Sequence, residues 1–178
     1  IMPNPKSPYG ITKLAIEHFL NYYRERYNIE ADIYRIGNPF GSRQPIQKAQ
    51  GVIAIWMRDI IHGSEIQLYG NSKILRDYIY VEDVAHLLTH SLNDMDSSDI
   101  YNLGSGVGTS IIQLLEIFKE IVDIPFKYRI HPKRISDNSS IILDNSKIMA
   151  HFTEFNFSNL EDKIKETWIE FKVKTKLL

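Results

Sequence analysis

The sequence contains no cysteine, so it offers no disulfide, no thiolate metal ligand and no thiol nucleophile. It also lacks a long apolar run, because its apolar stretches are only a few residues long and a bilayer span needs about 20. Neither sign of charge is in excess, since 21 Lys and Arg stand against 22 Asp and Glu. This balance gives no electrostatic reason to expect nucleic acid or a membrane as partner. We therefore expect a soluble, cytoplasmic globular protein.

The order of apolar and turn-forming residues predicts an α/β fold in which strands and helices alternate. Pro8, followed by apolar residues at helical spacing, predicts a helix near the start of the chain. Ser110 and Gln113 have the spacing of a capping box, which predicts a helix from there through Val122. Because helices separate successive strands, we expect mainly parallel pairing. The other predicted helices cover residues 52–62, 82–92, 146–151 and 160–171, the strands 31–36, 66–69, 77–81, 100–103, 126–130 and 141–143, and the loops 37–50, 104–109 and 132–139.

Tyr9 and Lys13 stand four residues apart at the start of the first predicted helix. This spacing places both side chains on one helix face, with Cβ atoms about 5–6 Å apart. A lysine ammonium held there favours the phenolate, and such a tyrosine can exchange a proton with an alcohol while a cofactor takes the hydride. The pattern is also short enough to arise by chance, and a second copy at Tyr69 and Lys73 straddles a turn. By itself the spacing leaves catalysis and ordinary surface chemistry both open.

Three further patterns are less specific. The segment Gly104–Gly108 lies between a strand and a helix, but Thr109 replaces the third glycine of a dinucleotide fingerprint, so we interpret it as a tight loop. His86 and His90 share a helix face, as zinc ligands can, but Leu87 stands where a metalloprotease has its glutamate, and we predict no metal site. Arginines in or beside loops can grip a phosphate or can be surface charge, and these are Arg35, Arg43, Arg76 and Arg134.

Taken in order, several blocks resemble the extended short-chain dehydrogenase/reductase family, in particular its NAD-dependent nucleotide-sugar 4-epimerases of the UDP-glucose type. The resemblance covers nearly the whole chain, with the blocks in the family's order and with plausible gaps between them. It implies the C-terminal part of a Rossmann-like parallel sheet plus a smaller α/β substrate-binding domain. The blocks are Ser7–Leu14, Tyr34–Gly41, Gly51–Ile53, Ile66–Asn71, Arg76–Val84, Tyr101–Gly106, Arg134 with Asp137, and Asp144–Lys147.

The resemblance also implies a division of the chain. Residues 1–38 and about 76–104 would be a remnant of the NAD-binding Rossmann domain, whose glycine-rich N-terminal half is absent here. Residues from about 39 to 75 and from 105 to 178 would form the substrate-binding domain. We therefore expect the C-terminal portion of an isomerase that is inactive alone, binds NAD poorly, and forms a homodimer when complete.

Particular residues take roles by the same resemblance. Tyr9 would be the catalytic acid/base and Lys13 would tune it, and both would contact the NAD cofactor. Pro39 would line the nicotinamide pocket, and no metal is implied. The substrate-binding residues would be Asn38, Arg76 and Arg134 at the diphosphate, Val52, Leu68 and Tyr69 around the nucleobase and its ribose, and Asp137 at a ribose hydroxyl.

The expected reaction is inversion at C4 of a UDP-hexose or a UDP-N-acetylhexosamine through a transient 4-keto sugar, in a pathway of surface-polysaccharide biosynthesis. A nucleotide-sugar 4,6-dehydratase is an alternative, because it shares most of the blocks and the acidic residues that distinguish it lie upstream of Ile1. A non-catalytic protein that binds a nucleotide sugar is a second alternative, although such a binder has no need of Tyr9 and Lys13.

Overall fold

A computed structural model of the chain describes residues 3–44, 49–70, 74–94, 99–132 and 140–176. Helices and strands alternate within these ranges, which confirms the α/β class. None of the helices in these ranges has the length and apolar content needed to cross a membrane. The elements are α1 (Pro8–Tyr27), β1 (Ile33–Ile36), β2 (Asn38–Phe40), α2 (Val52–Ile61), β3 (Ile66–Tyr69), β4 (Leu75–Tyr80), α3 (Val81–Asp94), β5 (Ile100–Leu103), β6 (Gly108–Ser110), α4 (Ile111–Ile121), β7 (Tyr128–His131), α5 (Ser146–Met149) and α6 (Leu160–Lys176).

The described strands form small sheets in which parallel pairing prevails, as predicted. β1 pairs with β5, β2 with β4, and β3 with β7, all in parallel, whereas β4 and β6 run antiparallel. Parallel neighbours need a crossover connection, and helices such as α2 and α3 provide it here. The carboxyl ends of β2 and β4 consequently lie side by side.

Two strands, β2 and β6, lie where the sequence predicts loops. That prediction is wrong because each strand has only three residues, with proline or glycine among them, and neither shows alternation of apolar and polar residues. Both strands depend on β4, which is the hydrogen-bonded neighbour of each. Conversely, the predicted strand at 141–143 is reduced to a bridge between Ile141 and Arg76, and α6 continues to Lys176 rather than ending at 171.

Helix ends follow their local sequence closely. The Ser7 Oγ accepts a hydrogen bond of 3.1 Å from the backbone N–H of Gly10, which caps α1 just before its N-terminal proline. The predicted capping box of α4 is confirmed, because the Ser110 hydroxyl accepts from Gln113 N at 3.2 Å and the Gln113 Oε1 accepts from Ser110 N at 2.8 Å. α1 ends at Asn28, whose φ of 51° is in the left-handed region.

β4 separates two apolar cores, because its side chains point alternately to opposite faces. Tyr78 and Tyr80 face a larger core, and Ile79 faces a smaller one together with Leu87 and Leu103. The larger core is filled by bulky side chains from α2, β3, α4 and α6. Its fully buried members include Trp56, Met57, Ile66, Leu68, Leu114, Phe118, Trp168 and Phe171.

α1 differs from the other long helices because it buries none of its residues. A bidentate ion pair fastens it to β1, where Arg35 donates through Nε and Nη2 to the two oxygens of Glu17 at 2.9 and 2.6 Å. These hydrogen bonds lower the pKa of Glu17 and engage Arg35, one of the arginines considered for phosphate. The helix leaves a row of large apolar and aromatic side chains exposed, namely Tyr9, Ile11, Ile16, Phe19, Tyr22, Tyr23 and Tyr27.

Candidate functional site

A pocket of about 640 Å³ opens between β2, β3, β4 and the N-terminal part of α2. Its volume lies within the 300–1,000 Å³ that is usual for small-molecule sites. Five residues to which the sequence assigned binding roles line this pocket, although they come from four separate elements. They are Asn38, Pro39, Val52, Tyr69 and Arg76.

Two polar residues of the pocket, Asn38 and Arg76, are placed by β2 and β4. Asn38 begins β2, and its Nδ2 donates a hydrogen bond of 3.0 Å to the main-chain oxygen of Asp77 on β4. Arg76 precedes Asp77 on the same strand, and its Nη1 donates to the carbonyl oxygen of Leu75 at 3.1 Å. The amide of Asn38 and the guanidinium of Arg76 therefore enter the same pocket from neighbouring strands.

The apolar wall comes from α2 and β3. Val52 is the first residue of α2 and follows Gly51, which caps the helix with a φ of 77° that favours glycine. On β3 the side chains alternate, so Ile66 and Leu68 are fully buried in the larger core while Gln67 and Tyr69 line the pocket. The side chain of Leu68, expected near a nucleobase, thus lies in the core and not in the pocket.

Several lining residues escaped the sequence interpretation. Gln67 could have been found from its position two residues before Tyr69, because period-two alternation puts both on one face. Trp56 is almost fully buried, and its Nε1 donates to the carbonyl oxygen of Gln67 at 3.3 Å. Burial raises the pKa of Tyr78 to about 12, so this phenol is neutral at ordinary pH. The others are Phe40, Gln50, Gly51, Ile53, Ala54, Ile55, Asp59, Ile74 and Ile111.

Tyr9 and Lys13 are brought together, as their spacing predicts, but they are not among the residues that line the pocket. The Nζ of Lys13 lies 5.4 Å from the ring centre of Tyr9, within the range of a cation–π contact. Tyr9 is 72% exposed, so the pair forms an open surface on α1. The arrangement offers a phenol and an ammonium side by side to a ligand that reaches this surface.

The glycine-rich segment at 104–108 surrounds a buried carboxylate of the protein itself. Asp77 is fully buried, and its oxygens accept hydrogen bonds from Ser105 N at 2.8 Å, Ser105 Oγ at 2.6 Å, Gly106 N at 3.2 Å and Leu143 N at 3.1 Å. A Cβ at Gly104 would lie 2.3 Å from Asp77 Oδ2, so glycine is required there. The interpretation as a tight loop is confirmed for residues 104–107, whereas Gly108 begins β6.

The hydrogen bonds from this loop to Asp77 determine whether the loop can also bind a dinucleotide. The amides of Ser105 and Gly106 point at Asp77, so the loop does not fit the pyrophosphate of a dinucleotide. Tyr9 and Lys13 do fit the nicotinamide-ribose end, since both present donors on an exposed helix face. Among the residues that the structure describes, the fit to NAD is therefore limited to one end of the cofactor.

The remaining predicted residues lie either on the surface of the protein or outside the described residues. His86 and His90 stack at 4.1 Å between ring centres on the surface of α3, and the described part of the chain holds no group of three or more metal-ligating side chains. Arg43 is exposed in the loop after β2. Arg134 and Asp137, expected at the diphosphate and a ribose hydroxyl, lie outside the described residues, as does Lys73.

Comparisons with known proteins find similarity over most of the chain. A sequence profile of the NAD dependent epimerase/dehydratase family matches residues 1–104. The UDP-glucose 4-epimerase of Mycolicibacterium smegmatis is 31% identical over 144 residues, which are 81% of this chain and 46% of that protein. The dTDP-4-dehydro-6-deoxyglucose reductase of Escherichia coli is 32% identical over 150 residues, which are 82% of this chain and 46% of that protein.

A solved structure shows the same fold. The UDP-glucose 4-epimerase of Thermotoga maritima, crystallised with UDP-glucose, matches with a TM-score of 0.86 and 31% identity. The match covers 98% of this chain and 56% of that chain. The chain thus spans about half the length of the curated and solved relatives it matches.

Proposed function

The chain belongs to the NAD-dependent epimerase/dehydratase family, and from this premise we propose that it is the substrate-binding portion of a UDP-sugar 4-epimerase. The observation that carries the proposal is the pocket beside β2 and β4. Residues that the family resemblance assigns to a diphosphate, a nucleobase and a nicotinamide line that one cavity of about 640 Å³. Among the described lining residues, the guanidinium of Arg76 lies beside aromatic and aliphatic walls, which suits a charged diphosphate joined to a planar base.

In the proposed complex, the guanidinium of Arg76 and the amide of Asn38 bind the diphosphate. A planar guanidinium fork matches phosphate oxygens in a way that an ammonium does not. Val52 and Tyr69 contact the base and its ribose. Arg134 provides a further contact to the diphosphate, and Asp137 binds a ribose hydroxyl. Holding the nucleotide this firmly leaves the sugar free to turn, because the binding energy is placed away from the reacting carbon.

In the chemical step of the proposed reaction, Tyr9 and Lys13 act together. Tyr9 accepts the proton of the sugar 4-OH at its phenolate oxygen and returns it after the sugar has turned. Lys13 stabilises that phenolate through its ammonium, which already lies over the tyrosine ring. NAD, when bound, supplies the hydride acceptor. Since the fit to NAD is limited to one end, we expect this chain alone to bind the cofactor poorly and to show no turnover.

The proposal includes a homodimer for the complete enzyme. Beyond the catalytic pair, the exposed row of α1 from Ile16 to Tyr27 is large and apolar, and such faces on single chains commonly mark protein–protein contacts. The catalytic pair stands on the same helix, so assembly through this face would also fix the orientation of Tyr9 and Lys13.

Isothermal titration of the chain with UDP-glucose tests the binding part of the proposal. We expect saturable binding that Arg76→Leu weakens about 10- to 100-fold, since a phosphate contact is lost. Arg43→Leu is the matched control, because Arg43 is an exposed loop arginine away from the pocket, and it should change the affinity less than twofold. No binding at millimolar UDP-glucose, or equal effects of the two variants, would refute the proposal.

Product analysis tests the chemistry. The chain is incubated with NAD and UDP-glucose, alone and fused to a Rossmann half from a relative. UDP-galactose from the fusion, lost on Tyr9→Phe, supports the epimerase. A stable 4-keto-6-deoxy sugar would indicate a dehydratase instead, and activity that survives Tyr9→Phe would remove Tyr9 from the reaction.

A further inference from the structure

A histidine with no role so far supports the aromatic wall of the pocket from behind. His131 ends β7 directly opposite Tyr69 in the parallel register with β3. The two rings stack with their centres 4.9 Å apart and their planes 18° from parallel. His131 does not line the pocket, whereas Tyr69 does. The imidazole therefore covers part of the tyrosine ring without occupying the space for a ligand.

The orientation of the imidazole is fixed by Gln67. The Nε2 of Gln67 donates to the main-chain oxygen of Glu65 at 2.9 Å and to its carboxylate at 3.3 Å. The Oε1 of Gln67 consequently faces His131 and accepts a hydrogen bond from its Nε2. Nε2 of His131 therefore carries a hydrogen, because an amide oxygen only accepts.

Contacts between β3 and β7 hold Gln67 and His131 in place. Glu65, just before β3, forms an ion pair of 3.0 Å with Arg129 of β7. The backbone N–H of Gly70 donates to the carbonyl oxygen of His131 at 3.2 Å. The ring of His131 is thus held by its backbone, by a side-chain hydrogen bond and by the pairing of the two strands, before any ligand binds.

We infer that His131, oriented by Gln67, is a positioning residue that holds Tyr69 as a stacking platform for the nucleobase of the substrate. The inference rests on the proposed function, which places the base at Tyr69. A tyrosine ring that is ordered only when the base binds loses rotational freedom at that moment, and this loss lowers the affinity. The stacked imidazole selects one orientation in advance, so the base meets a ring that is already in place.

The test compares UDP with inorganic pyrophosphate, which has the two phosphates without the base. In isothermal titration of the full chain, His131→Ala should weaken UDP binding about three- to tenfold, the worth of one aromatic pair, and leave pyrophosphate binding unchanged. His131→Phe should restore UDP affinity to within about twofold, because it restores a flat ring. His90→Ala is the control for loss of an exposed histidine and should affect neither ligand.

Two double-mutant cycles decide whether His131 acts through Tyr69. In a Tyr69→Ala background, His131→Ala should cause no further loss of UDP affinity. Gln67→Leu and His131→Ala should likewise be non-additive. Equal loss for UDP and pyrophosphate, or an undiminished effect of His131→Ala without Tyr69, would overturn the inference.

The same titrations separate this inference from the proposed function. If the unmodified chain binds neither UDP nor pyrophosphate, the proposed function fails and the inference fails with it. If it binds both equally well, a diphosphate site exists but the base adds nothing, and only the inference is refuted. Thermal unfolding of each variant identifies any that fails to fold, and His131→Phe remains informative in that case because its ring fills the same space.

Discussion

Replacement of the buried carboxylate of Asp77 by an amide is the most direct test of how the pocket is supported. Asp77 is fully buried, and its two oxygens each accept two hydrogen bonds. Three of the four donors are backbone N–H groups, which cannot turn away. Asp77→Asn keeps the shape of the side chain but replaces one acceptor oxygen with an NH₂ donor.

The side-chain amide introduced by Asp77→Asn can adopt two orientations, and these differ in free energy. With its NH₂ toward Gly106 and Leu143, it would face two fixed N–H groups. With its NH₂ toward Ser105, it faces one fixed N–H and a hydroxyl that can rotate and accept, so this arrangement is preferred. One buried N–H is then left without an acceptor, which costs about 1–3 kcal/mol, and the remaining bonds lose their charge assistance.

Removing the charge also relieves the cost of burying it, which acts in the opposite direction. The donors stay in place, however, so the lost bonds outweigh this relief. We expect Asp77→Asn to lower the free energy of unfolding by about 2–4 kcal/mol, and Asp77→Ala, which removes all four bonds, to lower it further.

Urea unfolding followed by circular dichroism measures this effect. Asp162→Asn is the matched control, because Asp162 is exposed in the first turn of α6, and it should cost no more than about 0.5 kcal/mol. The slope of the transition should be unchanged in every variant. If Asp77→Asn is as stable as the control, the hydrogen bonds from the loop at 104–108 to the carboxylate of Asp77 do not stabilise the fold, and the reasoning is refuted.

Two further predictions concern the dependence of stability on pH. Burial raises the pKa of Tyr78 from 10.0 to about 12, so stability is complete below pH 10 and falls by up to about 3 kcal/mol as pH rises to 12. Tyr78→Phe should remove that part of the decline, measured by urea unfolding at pH 9 and pH 11, and an unchanged slope would contradict the assignment. Hydrogen bonds from Lys172 and Trp168 lower the pKa of Asp123 from 3.8 to about 2, so their contribution is present above pH 3.8 and is lost as pH falls to 2. Asp123→Asn should flatten the stability profile between pH 4 and 2, whereas the same profile in both proteins would exclude the contribution.

Features that depend on neighbouring residues were predictable from the sequence. The capping box of α4 is one, because Ser110 and Gln113 satisfy each other's hydrogen bonds within a single turn. The family was predictable as well, because its blocks carry specific residues in a fixed order, and the match to residues 1–104 confirms that resemblance.

Features that depend on distant partners were not predictable. β2 and β6 are strands only through their pairing with β4, and three residues are too few to show a period. Asp77 gave no local sign of burial, since its donors lie 28 to 66 positions away. The contact between His131 and Gln67 likewise joins residues 64 positions apart, and it exists only because β3 and β7 pair in one register.

The position of β4 between the two apolar cores affects how the protein unfolds. Its alternate side chains fill both apolar cores, so neither core is closed without this strand. Fraying of the smaller core around Ile79 would therefore displace Tyr78 and Tyr80 from the larger one, and with them a wall of the pocket. The two cores are thereby coupled into one cooperative unit, so the pocket is lost together with both cores when the chain unfolds.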